Sequence, residues 1–329
     1  MADPDGGNRV EVVNNREWLP IYLYWPPRGD FLSFLTADQS SGELTLQVVP
    51  ADGGEVRQLG TGSPVYWDWS PDNSSILIHI GSAAAIDAEA RLALLDLNEE
   101  VHEQVLELRP GFFQAPAWSP DGSRLLLAGE TDGGQAGLLL TDAEGIVEKV
   151  LATIEGMVAF DWSPNGRQLA YLSDRDFDTP AATCHLTVLD GSDLETVRAE
   201  VGEKVAAFFW SPDSSRIAFF EPLIVKPTQP APGSGSGEAV TLYNLHVVDT
   251  GSARTQLVAA FLLTEAFASM LRFFDQYQRS ATIWLPDSQR LVVSAYDQDG
   301  EAGIFVVEAT GNLQPRYLTA GSLAFWSWR

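Results

Sequence analysis

The 329-residue chain has a single cysteine, Cys184, so no internal disulfide can form; in its apolar stretch a buried, inert thiol is expected rather than a nucleophile. Lysine is almost as scarce, with only Lys149, Lys204 and Lys226, and the formal net charge is -25. Contact with a phosphate backbone needs a basic footprint, so a nucleic-acid role is excluded from the expectations, and an anionic membrane surface is disfavoured for the same reason. Acidic loops that keep a large protein in solution account for the charge, and basic partners stay open. No run of roughly 18 apolar residues occurs, so no membrane insertion is expected. The opening MADPDGGNRVEV lacks the charged-then-apolar pattern of a secretory signal, and the chain as written is expected in the cytoplasm.

Motifs of chemistry are equally sparse. There is no G-x-S-x-G elbow, no H-E-x-x-H, no G-x-x-x-x-G-K-[ST] and no cysteine-rich metal spacing. The four histidines, His79, His102, His185 and His246, are far apart in sequence and fall in or beside expected strands, where satisfied structural histidines are the expectation. His185 and His246 do occupy comparable third-strand positions in neighbouring units. No cofactor is expected, an enzymatic role is the less favoured one, and no feature sets an oligomeric state.

What the sequence does contain is a repeat. LYWPPRGDFLSFLTA (23–37), WDWSPDNSSILIHIG (67–81), PAWSPDGSRLLLAGE (116–130), FDWSPNGRQLAYLSD (160–174), FFWSPDSSRIAFFEP (208–222) and TIWLPDSQRLVVSAY (282–296) align, and a seventh copy begins as AFWSWR. The aligned tryptophans are Trp25, Trp69, Trp118, Trp162, Trp210, Trp284 and Trp326, spaced by 44, 49, 44, 48, 74 and 42 residues, so one interval alone carries a large insertion. A period of this size marks a repeat architecture. In each copy an apolar strand ends at Trp, Ser-Pro-Asp-Gly turns the chain, and a second apolar strand follows. Proline presets the turn's second position and Ser or Asp bonds nearby amides, as a type I turn requires. Two further strands complete the unit, and a four-stranded sheet buries both faces only when neighbours stack on it, which predicts an all-β propeller.

Six complete blades are expected at about 21–62, 63–111, 112–156, 157–204, 205–280 and 281–321. Residues 1–20 hold one strand (Arg9–Val13), and 322–329 a closing strand. The two ends either build a minimal seventh blade or add extra strands to six.

The W-S-P-D-G-x-x-L/I-A hairpins at 67–81, 116–130, 160–174 and 208–222 resemble the PD40, WD40-like repeats of TolB-type propellers, which also occur in the propeller domains of prolyl-oligopeptidase-type enzymes. The resemblance covers nearly the whole chain and implies the fold; it implies no single activity, because such repeats serve many. It would suit an extracytoplasmic protein if a leader had been removed. Two copies depart from the pattern, Pro27-Arg28-Gly29 in the first and Leu285 in place of Ser in the sixth, and looser turns are expected there.

Two segments stand outside the repeat. Asp174, Asp176 and Asp178 alternate in the loop after a second strand, as at the start of a calcium loop, but Thr179 and His185 stand where such a loop needs Gly and Glu. They are weak metal candidates, and a solvated loop is the plainer reading. In the fifth unit, residues 222–239, rich in Pro, Gly and Ser, read as a mobile loop, and 261–280 form a second insertion at the same end of the blade. Phe267, Met270, Leu271, Phe274 and Tyr277 are spaced for one face of a short helix, with Arg272, Asp275 and Arg279 as polar contacts and Phe273 at its edge. Either this face packs onto the blade ends or, with Phe177 of the neighbouring loop, it holds a protein or peptide partner. The leading expectation is a non-enzymatic binding scaffold. The alternatives are a small-ligand or divalent-ion-dependent sensor or enzyme at the channel mouth, and a structural subunit of a larger complex.

Overall fold

The repeat's turn builds each blade. In the second copy the backbone N–H of Asn73 donates to Ser70 O (2.9 Å), Ser70 Oγ donates to Asp72 Oδ1 (2.7 Å), and the Ser74 N–H donates to the same oxygen (3.0 Å). The third and fifth copies repeat this clamp with Ser119 on Asp121 and Ser211 on Asp213, and the fourth with Ser163 on Asn165. The residue closing each turn takes a positive φ: Asn73 63°, Gly122 73°, Gly166 68° and Ser214 63°. Asp72 consequently titrates well below the ordinary carboxylate range, at about 2, held there first by the Ser70 hydroxyl and then by the Ser74 amide and hydroxyl. The two divergent copies keep the backbone turn, Gly29 N–H to Pro26 O at 2.9 Å and Ser288 N–H to Leu285 O at 3.0 Å. What they lose is the serine clamp, because Pro26 and Leu285 have no hydroxyl to offer.

The computed structural model describes residues 20–38, 41–81, 90–97, 101–111, 114–131, 133–175, 184–226 and 239–326. Its strands fall into six antiparallel sheets in chain order. The first is β1 (Ile21–Tyr24), β2 (Phe31–Ala37), β3 (Leu44–Pro50) and β4 (Arg57–Gly62), and the second is β5 (Val65–Trp69), β6 (Ser75–Ile80), β7 (Arg91–Asp96) and β8 (His102–Val105). The third is β9 (Ala117–Trp118), β10 (Arg124–Glu130), β11 (Ala136–Asp142) and β12 (Val147–Thr153). The fourth is β13 (Met157–Trp162), β14 (Gln168–Arg175), β15 (Leu186–Asp190) and β16 (Val197–Val201). The fifth is β17 (Ala207–Trp210), β18 (Arg216–Val225), β19 (Val240–Asp249) and β20 (Arg254–Phe261). Two short helices follow, α1 (Glu265–Leu271) and α2 (Phe274–Tyr277), and then the sixth sheet, β21 (Arg290–Tyr296), β22 (Ala302–Glu308) and β23 (Arg316–Ala320).

The sixth sheet's first strand is reduced to a bridge from Trp284 to Leu291, and Thr282 pairs in turn with Trp326 by two backbone hydrogen bonds of 3.0 and 2.8 Å. The Arg9–Val13 strand lies outside the described residues. Five four-stranded meanders and a sixth of three strands with a bridge in place of its first make the fold a β-propeller. The chain packs as two compact units, residues 1–160 and 161–329.

From the second blade on, burial falls from the first strand to the last: β17 is buried throughout, whereas every residue of β8 and β23 is exposed. The first blade departs, with β1 largely exposed. The aligned tryptophans explain how blades stack. In the second unit Trp284 Nε1 donates to Phe209 O (2.9 Å) and Trp210 Nε1 to Asp161 O (3.4 Å), so each indole grips the carbonyl just ahead of the preceding aligned tryptophan. In the first unit Trp67 and Trp69 both donate to Ser33 Oγ at 2.9 Å. Asp68, 4% exposed, accepts from the Tyr24 hydroxyl (2.6 Å) and the Trp118 backbone N–H (2.8 Å), joining three blades through one carboxylate. A buried polar group of this kind is tolerated because its partners replace water.

The segment 222–239 departs from the loop expectation. β18 runs on to Val225 and β19 starts at Val240, with Leu223 opposite Leu242 and Val225 opposite Val240. The run Leu-Ile-Val has the β propensity to continue a ladder that Pro222 does not break. Only 227–238 of this stretch lies outside the described residues.

Candidate functional site

The insertion after β20 begins at Thr264, whose hydroxyl caps α1 by accepting the Phe267 N–H at 3.3 Å and donates to Ser322 O at 2.5 Å. An N-cap threonine followed by Glu265 suits the positive end of a helix. The apolar stripe appears as spaced, but α1 stops at Arg272 and α2 restarts after Phe273, whose φ of -117° and ψ of 25° are not helical. Phe267, Met270, Leu271 and Phe274 all turn inward. Phe274 stands edge-on to Phe208 (5.1 Å between ring centres) and Phe209 (5.9 Å), and Phe267 contacts Phe220 (5.8 Å) and Phe325 (5.9 Å). Offset and edge-on pairs at these spacings are favourable beyond their burial. The helices therefore cap β17, whose Phe208-Phe209 pair supplies the other half of the cluster.

The polar members of the insertion divide. Arg279 Nη1 bonds Asp161 Oδ1 at 2.5 Å, with side-chain exposures of 7% and 18%, so this cation ties the insertion to β13. Asp275 is buried with Gln276 and Gln278. Burial raises the Tyr277 phenol above its ordinary range. The surface of the insertion is left to Glu265, Ala266, Ser269, Arg272 and Phe273, the last 45% exposed. Of the expected contact residues, then, Arg272 and Phe273 face solvent, Tyr277 is half-buried, and Phe267, Phe274 and Asp275 are enclosed, where no partner could touch them. Asp161 escaped the sequence reading, although its position directly before an aligned tryptophan, like that of Asp68, was the available signal.

Beside Phe273 the β18–β19 hairpin runs past the four residues of β17, which pair only as far as Phe220. Its projecting end exposes Leu223 (48%), Ile224 (53%), Val225 (38%) and Val240 (39%), and Leu262, which follows β20, is 40% exposed. Tyr243 in β19 pairs with Phe261, and the Arg272 guanidinium opposes the upward pull of burial on its phenol, so hairpin and insertion adjoin.

The other candidates are placed as follows. Asp174 lies in β14, and Asp176, Phe177 and Asp178 lie outside the described residues. Among the described residues no group of three or more His, Cys, Asp or Glu is arranged to hold a metal ion. His185 Nδ1 meets Gly202 O, and His246 stacks on Phe219 (5.0 Å, 9°) with Nε2 3.0 Å from Glu221 Oε2. Glu221 Oε1 accepts the Glu203 N–H at 2.8 Å. Burial lowers the His246 pKa against the pull of Glu221. His79 is fully buried beside Gln114 Nε2 (3.3 Å from Nδ1), and burial brings it down to about 4. Cys184 is buried, its Sγ 3.1 Å from Ser173 O. No helix among the described residues is long and apolar enough to cross a membrane.

No family model matches the chain. An uncharacterised protein of Agrobacterium fabrum (strain C58) is 28% identical over 191 residues, 54% of this chain and 62% of that protein, so the match spans under two thirds of the relative. Among solved structures, an oligogalacturonate lyase from Vibrio parahaemolyticus is 13% identical, over 98% of this chain and 85% of that one, with a TM-score of 0.59. The β-propeller domain of the Trilobed protease from Pyrococcus furiosus is 13% identical over 93% and 86%, with a TM-score of 0.54. TolB from Acinetobacter baumannii is 16% identical over 91% of this chain and 64% of that one, with a TM-score of 0.47. For the lyase and the protease domain, at such identities, the likeness is one of fold, and the fold is that of a β-propeller.

Proposed function

We propose that this chain, a TolB-like β-propeller in fold, is a non-enzymatic scaffold that binds a protein or peptide at the decorated end of its fifth blade. One observation carries the reading. Leu223, Val225 and Val240 on one face of the projecting hairpin, Ile224 on its other face, and Leu262 and Phe273 after β20 are each 38% or more exposed. Single exposed apolar residues are ordinary, but six gathered on one hairpin end and the insertion that adjoins it support an interaction surface. Phe273 in this group is an aromatic side chain, and aromatic anchors are among those that most often dominate such contacts. The fold's other uses, including the lyase and the proteases whose propellers it resembles, bear on this chain only through shared architecture.

The test is capture from the source cells by the full chain, with Ile224→Ser and Phe273→Ser combined. Val197→Ser, at an equally exposed apolar position on β16, is the control. Partners that depend on 224 and 273 but not on 197 support the reading, and identical capture by all three proteins overturns it.

A further inference from the structure

A second feature of the 161–329 unit points to the chemistry of the partner. Between the fifth and sixth blades, at the same end as the exposed apolar group, a cleft of about 510 Å³ is lined by Phe261, Tyr296 and Phe305 on its walls, Pro315 at its side, and Asp297 and Asp299 at its rim. The walls are built rather than accidental. Phe305 stands edge-on to Tyr317 (5.7 Å, 77°) and tilted against Phe261 (6.4 Å, 47°). Gly303 makes this arrangement possible, since a Cβ there would come within 2.7 Å of the Tyr317 ring.

The rim is also fixed. Asp297 Oδ1 accepts the backbone N–H groups of Asp299 and Glu301, both at 2.9 Å, and the Asp297 N–H bonds Glu301 O at 3.0 Å, so a closed turn fixes the Asp297 carboxylate and the backbone that carries Asp299 beside the rings. No described cation pairs with Asp297 or Asp299. Aromatic faces carry negative potential, and a cation with an apolar stem is the ligand that uses rings and carboxylates together.

We propose that this cleft receives a lysine or arginine side chain from a basic segment of the partner. The inference rests on the scaffold reading above and gives its ligand a chemistry. The charge of the chain, -25 overall, favours approach of a basic segment, while the cleft selects where it docks.

The experiment uses the full chain and a fluorescein-labelled peptide of alternating glycine and lysine, followed by anisotropy at about 0.15 M salt, where unspecific attraction is largely screened. Two variants address the cleft. Asp299→Asn removes one rim charge, and Tyr296→Leu removes a ring while keeping apolar bulk and charge. Glu200→Gln, on β16, removes an equal charge elsewhere. The expected result is at least about tenfold weaker binding for D299N and Y296L and an unchanged E200Q. Equal binding by all four proteins, equal weakening in E200Q, or no binding by any of them would overturn the assignment; the last outcomes mean unspecific charge attraction or an unsuited cleft. Free tetramethylammonium that displaces the peptide supports recognition of the cation itself, and its failure to compete at any concentration that leaves the ionic strength fixed would count against the aromatic cage. If the cleft variants bind as wild type while I224S/F273S still loses its captured partner, the cleft assignment fails and the scaffold reading stands.

Discussion

Phe273 and Phe274 are adjacent in sequence and opposite in burial, which makes them a controlled pair. Phe274→Ala empties a site with 0% exposure that touches two other rings, and Phe273→Ala trims a side chain that is 45% exposed. Truncating a buried Phe costs about 3–5 kcal/mol. The two edge-on pairs, each worth about 0.5–1.5 kcal/mol beyond burial, place Phe274 in the upper half of that range. Phe273→Ala should stay within about 0.5 kcal/mol. Phe274 opens α2 whereas Phe273 is non-helical, so helix propensity acts only at 274, where Ala is the better helix former by less than about 1 kcal/mol, and the predicted gap is carried by packing. For a body the size of residues 161–329, 1 kcal/mol moves the melting midpoint by about 2–4 °C, so F274A should melt on the order of 10 °C lower and F273A almost unchanged. Tryptophan fluorescence during heating and urea titration reads both. A gap between the two variants below about 1 kcal/mol would show that the insertion does not pack on β17 as described.

Two further predictions concern charge. Arg279→Met strands Asp161, and because that carboxylate keeps 18% exposure the cost should be about 2–4 kcal/mol, below that of a fully enclosed pair. A double-mutant cycle with Asp161→Asn should give a coupling above about 1 kcal/mol, and additivity of the two losses would refute the tie between the insertion and β13. His79 falls from its ordinary 6.5 to about 4 through burial, so the unfolded chain takes up a proton in a window where the folded chain does not. Its contribution is therefore fully present above pH 6.5 and is lost as the pH falls toward 4. Roughly 3 kcal/mol should disappear across that window. Urea midpoints measured from pH 7 to pH 4 should fall less steeply in His79→Gln, and parallel slopes would contradict the assignment.

The fold was legible because its signal is repeated. Trp, Ser, Pro and Asp recur in register, and each has a local job: the indoles of Trp69, Trp210 and Trp284 grip the preceding blade, the hydroxyl and carboxylate clamp the turn, and proline presets its second position. Where the motif is broken, at Pro26 and Leu285, the backbone turn survives, since its own closing hydrogen bond needs no side chain. The end of β18 was misjudged for a related reason. Pro, Gly and Ser dominate the average of 222–239, and that average hides an apolar run at its start that a neighbouring strand can still pair.

The insertion was harder to read because helical spacing specifies a face without specifying what the face meets. Phe267, Met270, Leu271 and Phe274 would look the same whether they sought a partner or the chain's own Phe208 and Phe220. The decision rests with β17: its first strand carries two adjacent phenylalanines, Phe208 and Phe209, and both are buried although successive strand residues point to opposite faces. A first strand that is apolar on both faces requires cover on both. Neighbouring blades cover a strand's flanks but not its end, so an insertion rich in aromatics immediately downstream is first a lid for that strand. What the lid leaves at the surface, Glu265, Ala266, Ser269, Arg272 and Phe273, is what a partner can meet, and the surface argument therefore begins where the packing demand of β17 has been met.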